Sequence, residues 1–97
     1  MKATLYYPNA KDADTRGRLF MGLRPEGVTY YKVWEGEAEG AGQVFEKFNV
    51  GDYGGIQCRS MSVGDIVEID GKFLHCDMMG WSEVSPPEIV EPVKFGW

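Results

Sequence analysis

Alternation of apolar and polar side chains predicts several short strands in this chain. The longest covers residues 28–37, and another covers residues 3–7, where Thr4, Tyr6 and Tyr7 favour β structure and Pro8 ends the run. In the longer strand the residues alternate between two sets, one with Val28, Tyr30, Lys32 and Trp34 and the other with Thr29, Tyr31, Val33 and Glu35. The pattern therefore favours a strand with β-forming residues on both faces.

The most clearly specified region is a β-hairpin with strands at residues 66–69 and 72–76. Its turn is Asp70-Gly71, the pair that a two-residue type I′ turn prefers because both positions need positive φ. The turn sets three pairs opposite each other, namely Ile69 with Lys72, Val67 with Leu74, and Asp65 with Cys76. The predicted core face carries Val67, Ile69, Leu74 and Cys76, and the other face carries Ile66, Glu68, Phe73 and His75. A last short strand is predicted at residues 81–84.

One short helix is predicted over residues 43–48, where Val44, Phe45 and Phe48 form a single apolar stripe. Further strands are predicted at residues 56–61 and, inside a loop, at residues 18–23. These elements indicate an α+β fold, with the helix packed on a mainly antiparallel sheet of four to five strands. The sheet is expected to be either open or curled into a half-barrel.

The length of 97 residues fits a single domain over residues 1–97. Its body is expected at residues 28–84. A loop-rich insertion precedes the body at residues 8–27, where the pattern is interrupted by Asp12, Asp14, Gly17, Gly22 and Pro25. A tail at residues 85–97 contains Pro86, Pro87 and Pro92 and is expected to be extended.

The formal net charge of −5 is unevenly distributed. Residues 1–34 carry six basic and three acidic side chains, whereas residues 35–97 carry four basic and twelve acidic ones. An acidic body disfavours non-specific binding to nucleic acid or anionic membranes. The sequence shows no apolar run of membrane-spanning length and no signal-peptide pattern, and the two cysteines are too few for a disulfide framework. These features favour a cytoplasmic protein.

Metal binding and catalysis are not expected. The possible zinc ligands are Cys58, His75, Cys76 and Asp77. Three of them are consecutive on one strand, so Cys76 points away from the face that carries His75 and Asp77. His75 is expected on an exposed face beside Asp77, without a nucleophile. The chain also lacks common nucleotide-binding and hydrolase motifs, so we expect no cofactor and no enzyme activity.

The two thiols have two interpretations. Cys58 and Cys76 are expected to be reduced core residues, and the alternative is a disulfide between neighbouring strands.

Arg59 also has two interpretations. Ser62 and Asp65 would cap a turn while Arg59 pairs with a carboxylate, or Arg59 would belong to a small polar recognition site.

Aromatic residues make up 13% of the chain, more than so small a core can enclose. Trp81 and Trp97 are expected to be the most exposed and to contact a protein partner. A separate basic and aromatic group, Arg16, Arg18, Phe20 and Arg24, has the composition of a surface that binds RNA or single-stranded DNA. A third hypothesis is that the acidic body imitates nucleic acid.

Several segments resemble the YodL-like domain of proteins associated with phages and mobile elements. The matching pieces are VFEKFN at residues 44–49, RSMSVGDIVEIDGK at residues 59–72, and GWSEV at residues 80–84, preceded by the strand YKVWEGE at residues 31–37. The similarity covers residues 31–84, and residues 1–27 and the tail are expected to lie outside it. The resemblance implies an accessory protein of a phage or mobile element and no known enzymatic activity.

These observations lead to one main functional hypothesis and one alternative. The chain is expected to bind a host or mobile-element protein and to inhibit a defence system or another host process, as anti-restriction and anti-CRISPR proteins do. The predicted partner-binding residues are Arg16, Arg18, Phe20, Arg24, Arg59, Trp81 and Trp97. The alternative is binding of RNA or single-stranded DNA through the loop that carries Arg16, Arg18 and Arg24.

Overall fold

A computed structural model of the chain describes residues 1–9, 28–49, 63–77 and 80–90. These residues form five strands and one helix. In chain order they are β1 (Lys2–Pro8), β2 (Tyr30–Glu37), α1 (Ala41–Lys47), β3 (Ile66–Ile69), β4 (Lys72–Asp77) and β5 (Gly80–Val84). The α+β class with a five-stranded sheet and one short helix is confirmed. The strands predicted at residues 18–23 and 56–61 lie outside the described residues.

The strands form one sheet in the order β2-β1-β3-β4-β5, and every neighbouring pair is antiparallel. The first strand is therefore in the middle, between β2 and β3. Ala3, Leu5 and Tyr7 are fully buried, and Thr4 and Tyr6 are less than a tenth exposed. Both faces of β1 are thus covered by other parts of the chain.

The β3–β4 hairpin has the predicted register. Val67 lies opposite Leu74 and Ile69 opposite Lys72. The backbone of Asp70 has φ 54° and that of Gly71 has φ 76°, so both turn residues are in the left-handed region that a type I′ turn requires. The local sequence alone accounts for this turn.

The pairing of β1 with β2 contains a β-bulge that changes the predicted faces of β2. Leu5 lies opposite Trp34 and Tyr6 lies opposite Lys32, which leaves Val33 as the extra residue. Because a bulge interrupts the two-residue alternation, Trp34 lies on the same face as Tyr31. The prediction that Trp34 shares a face with Tyr30 and Lys32 is therefore wrong.

The main core lies between the sheet and α1. Its buried side chains are Ala3, Leu5, Tyr7, Tyr31, Ala38, Ala41, Val44, Phe48, Val67, Ile69 and Cys76. Val44 and Phe48 come from the predicted helical stripe, and burying each contributes about 1.5–3 kcal/mol. The predicted core face of the hairpin is confirmed, since Val67, Ile69 and Cys76 are buried here and Leu74 packs against them.

The opposite face of the sheet has a smaller apolar cluster of its own. It consists of Tyr6, Tyr30 and Ile66, with Val28, Phe73 and Val84 packed against them. Ile66 is fully buried, and His75, its neighbour on β4, is only 3% exposed. The prediction that His75 lies at the surface is wrong, because residues distant in sequence cover this face.

Residues 85–90 connect the two edges of the sheet. The amide of Tyr30 donates to the Glu88 carbonyl at 2.9 Å, and the Val90 amide donates to the Tyr30 carbonyl at 2.8 Å, which forms a parallel bridge between Tyr30 and Ile89. The five residue-to-residue steps from Val84 to Ile89 span at most about 18 Å when fully extended. In a flat sheet, β5 and β2 would lie about 19 Å apart. Ile89 lies on the side of β2 away from β1, so its distance from β5 would be greater still. The sheet is therefore curved, while the half-barrel itself stays a prediction.

The hairpin turn gives a direct test of the fold. We expect Gly71→Ala to lower the free energy of unfolding by about 1–2 kcal/mol, because alanine is strained at positive φ. Gly71→Asn should cost less than half as much, since asparagine tolerates this conformation. Urea denaturation of both variants measures the difference. Equal losses for the two variants would contradict the type I′ turn.

Candidate interaction surface

Two tryptophans lie on either side of α1, one from each edge strand of the sheet. The Trp34 ring of β2 meets Phe48 edge-on, with ring centroids 5.5 Å apart. The Trp81 ring of β5 meets Phe45 edge-on at 6.3 Å. Trp34, Phe45 and Trp81 are each half-buried, and we call these three side chains the tryptophan surface. It presents aromatic rings on a rigid layer of helix and sheet.

The position of the Trp34 ring depends on Gly36. The indole lies so close to Gly36 that a Cβ atom there would overlap its six-membered ring. The ring also contacts Phe48 and the ammonium group of Lys47, whose Nζ lies 5.9 Å from the ring centroid. This distance is within the range of a cation–π interaction. A glycine two residues along the strand thus allows the indole to lie along β2.

A groove of about 420 Å³ opens beside this ring. We call it the Trp34 groove, and it is lined by Trp34, Glu37, Ala38, Gln43, Val44, Glu46 and Lys47. The carboxylate of Glu37 lies 3.2 Å from the N-terminal amine, but both groups are more than half exposed, so this ion pair is weak. The groove therefore combines an aromatic wall with exposed carboxylates and one lysine.

The described part of the chain is strongly acidic. Its sequence contains ten acidic residues and four lysines, and every arginine of the chain falls outside it. Such a surface repels polyanions and attracts basic groups. The basic character noted in residues 1–34 does not come from the described strands alone, since β1 and β2 carry only Lys2 and Lys32.

A second groove, of about 470 Å³, lies at one end of the opposite face. It is lined by Met1, Lys2, Thr4, Tyr6, Glu35, Glu68, Asp70 and Gly71. The Tyr6 hydroxyl donates to Glu68 Oε1 at 2.8 Å, and Lys2 Nζ lies 3.2 Å from Glu35 Oε2. Burial, followed by the hydrogen bond to Glu68, raises the pKa of Tyr6 to about 12. These polar groups are already paired with one another, and Tyr6 stays neutral at pH 7.

Cys76 is not suited to nucleophilic chemistry. It is a buried free thiol. Cys58, its partner in the alternative disulfide, lies outside the described residues. Burial, with added repulsion from Asp65 and Asp77, raises the pKa of Cys76 to about 11. Because the thiolate is the reactive form, Cys76 behaves as a small apolar core residue.

In the described part of the chain, the possible metal ligands of β4 point to different faces of the sheet. Cys76 belongs to the main core, whereas His75 lies opposite Ile66 on the other face, as the strand pattern predicts. The Asp77 carboxylate accepts a hydrogen bond from the Ser82 hydroxyl at 2.5 Å. Within residues 1–9, 28–49, 63–77 and 80–90, no three histidine, cysteine or acidic side chains are grouped as metal ligands. The expectations of no cofactor and no enzyme activity stay predictions.

Of the predicted partner-binding residues, the structure describes only Trp81, which belongs to the tryptophan surface. The others lie outside the described residues, namely Arg16, Arg18, Phe20, Arg24, Arg59 and Trp97. Sequence reasoning missed Trp34, because strict alternation placed it on the wrong face of β2. The signal that could have found it is the neighbouring Gly36, since a glycine inside a strand often marks a bulge or a close approach.

The chain also fits a known family. Residues 18–86 match the YodL-like domain family, and the protein is a member of that family. The resemblance is confirmed, but the expectation that residues 1–27 and the tail lie outside it is wrong for residues 18–27 and 85–86. No match was found among curated proteins or among solved structures.

The matched range has two structural consequences. It includes β2, α1 and the strands β3 to β5, but it begins after β1, the central strand of the sheet. It also includes both Trp34 and Trp81.

No helix in the described part of the chain has the length and apolar character needed to cross a membrane.

The dependence of Trp34 on Gly36 can be tested by mutation. We expect Gly36→Ala to displace the indole from Phe48 and to lower the free energy of unfolding by about 1–3 kcal/mol, as overpacking does. Nuclear Overhauser contacts between Trp34 and Phe48 should disappear. The control is Gly42→Ala in α1, where a Cβ meets open space and should stabilise the protein by about 0.5–1 kcal/mol. Retention of the Trp34–Phe48 contact in Gly36→Ala would contradict the arrangement.

The Cys76 environment predicts slow alkylation. At pH 8 a pKa near 11 in place of 9.0 lowers the thiolate fraction about 100-fold, so native Cys76 should react with iodoacetamide at least that much more slowly than Cys76 in urea. Mass spectrometry of the Cys76 peptide distinguishes alkylation of Cys76 from alkylation of Cys58. The free energy of unfolding should also fall as the pH rises from 9 towards 11, because the unfolded thiol ionises first. Equal native and unfolded rates would disprove the burial of this thiol.

Proposed function

We propose that this protein is a non-enzymatic accessory protein of a phage or mobile element and that it acts by binding another protein. The observation that carries the proposal is the tryptophan surface. Trp34 and Trp81 come from opposite edges of the sheet, yet both remain partly exposed beside the same short helix. Tryptophan is the side chain most enriched among the residues that dominate binding energy at protein interfaces.

The rigidity of these side chains supports binding. The Trp81 indole is held by an edge-on contact with Phe45 of α1, and the Trp34 indole by one with Phe48, the C-terminal cap of α1, which is fully buried in the main core. A ring that is already held in place loses little conformational entropy when a partner covers it. The exposed part of each ring can then contribute its apolar area to the interface.

The charge of the body favours a protein partner with a basic surface. Ten acidic residues against four lysines in the described part of the chain oppose binding to a phosphate backbone. The same charge would steer a basic protein towards the tryptophan surface and would accelerate association at low salt. Binding of RNA or single-stranded DNA would depend on Arg16, Arg18 and Arg24, none of which is among the described residues.

The family suggests the biological setting of this binding. Members of the YodL-like family are associated with phages and mobile elements, so the partner would be a bacterial host protein or a protein of a competing element, met in the host cytoplasm. Occupying such a protein would inhibit a defence system or another host process, as anti-restriction and anti-CRISPR proteins do. Inhibition by occupation needs a binding surface and no catalytic group.

Capture of the partner tests this proposal. The tagged full chain is expressed in a bacterial host, and a stoichiometric partner is identified, purified and measured by calorimetry. Each of Trp34→Ala and Trp81→Ala should weaken binding at least tenfold, which corresponds to about 1.4 kcal/mol or more. Ile89→Ala is the control, because Ile89 is an exposed apolar residue of the 85–90 segment outside the tryptophan surface, and binding should change less than twofold.

Two results would count against the proposal. Recovery of nucleic acid without a stoichiometric protein would favour the alternative function, whose affinity should fall steeply as the salt concentration rises. Unchanged affinity in both tryptophan variants, with circular dichroism showing that each is folded, would exclude the tryptophan surface as the binding site.

A further inference from the structure

The Trp34 groove has the chemical character of a site for a cation. Its aromatic wall is Trp34, and the exposed carboxylates of Glu37 and Glu46 line the same groove. The face of an indole attracts cations through its quadrupole, and nearby carboxylates add charge attraction and hydrogen-bond acceptors. An aromatic ring and carboxylates together favour a planar cation over a neutral or anionic group.

The chain itself already places a cation on this ring. Lys47, at the end of α1, holds its Nζ 5.9 Å from the Trp34 ring centroid. Lysine has a flexible four-carbon stem and a strongly hydrated head group, so this contact is easily exchanged. A guanidinium group is less hydrated, stacks flat on an aromatic ring and can bond two carboxylate oxygens at once. An arginine side chain should therefore compete well with Lys47 for the ring.

We propose that the Trp34 groove binds an arginine side chain of the protein partner. This inference rests on the proposed function, because it assigns the chemistry of the partner at one part of the tryptophan surface. Charge complementarity supports it, since the described body is acidic and contributes no arginine of its own to this groove. The guanidinium stacks on Trp34 and its donors face Glu46 and Glu37. Lys47 moves aside, and the weak, exposed ion pair between Glu37 and the N-terminal amine is exchanged.

A small probe tests the site without the partner. N-acetyl-arginine amide is titrated into the full-length protein while the tryptophan indole N–H signals are followed by NMR, with Trp34 assigned by comparison with Trp34→Phe. The Trp34 signal should shift and saturate, and the Trp81 signal should move little. N-acetyl-citrulline amide is the control, because it has nearly the same shape without the positive charge. It should cause no saturable shift.

Variants of the groove sharpen the test. Lys47→Met removes the competing cation and should tighten binding of the arginine probe about two- to fivefold. Lys72→Met, a lysine outside the groove, controls for the change in net charge and should have little effect. Together, the substitutions Glu37→Gln and Glu46→Gln should weaken binding of the arginine probe. Glu88→Gln should not, because Glu88 lies beside Tyr30, at the end of β2 far from the groove.

Some outcomes would overturn the inference. These are equal shifts with the citrulline probe, a saturable shift at Trp81 in place of Trp34, or no tightening in Lys47→Met. None of these outcomes bears on whether a protein partner exists, so arginine binding in the Trp34 groove can be disproved while the proposed function stands. Conversely, capture of nucleic acid alone would remove the proposed function even if the arginine probe binds.

Discussion

Burial of strand β1 on both faces is the constraint on which the rest of the structure depends. Leu5 and Tyr7 contribute to the main core beneath α1, and Tyr6 contributes to the smaller cluster on the opposite face. The same strand pairs with β2 on one side and β3 on the other. Without β1, the two faces would lose their shared layer, and β2 and β3 would have no partner between them. The family match begins after this strand, so the matched residues 18–86 do not include a complete sheet.

The tryptophan surface follows from this arrangement. Pairing with β1 places the bulge at Val33, the bulge turns Trp34 towards α1, and Gly36 leaves room for its indole. At the other edge, β5 presents Trp81 on the same face, because it pairs in register with Cys76 of β4. Curvature of the sheet, enforced by residues 85–90, brings the two edges closer than a flat sheet would. The proposed binding function thus depends on long-range pairing rather than on a local motif.

Features set by neighbouring residues could be predicted from the sequence, and those set by distant residues could not. Asp70-Gly71 determines its own turn, and Val44 with Phe48 forms a stripe that only a helix would align. The face of Trp34 depends on a bulge that exists only when β1 pairs with β2. Burial of His75 depends on the face that carries the smaller cluster, whose residues come from all five strands. The aromatic surplus together with a position near a strand edge predicts that Trp81 is exposed, whereas the exposure of Trp34 depends on the register of the sheet.

Native-state hydrogen exchange of the full chain tests most directly whether β1 holds the two faces together. The amides of Leu5, Tyr6 and Tyr7 should exchange only when the whole domain unfolds, with a free energy equal to that from urea denaturation. Amides of the edge strand β5 should exchange faster, through local opening. Exchange in β1 that is as fast as in β5 would contradict the central role of this strand and the binding surface built on it.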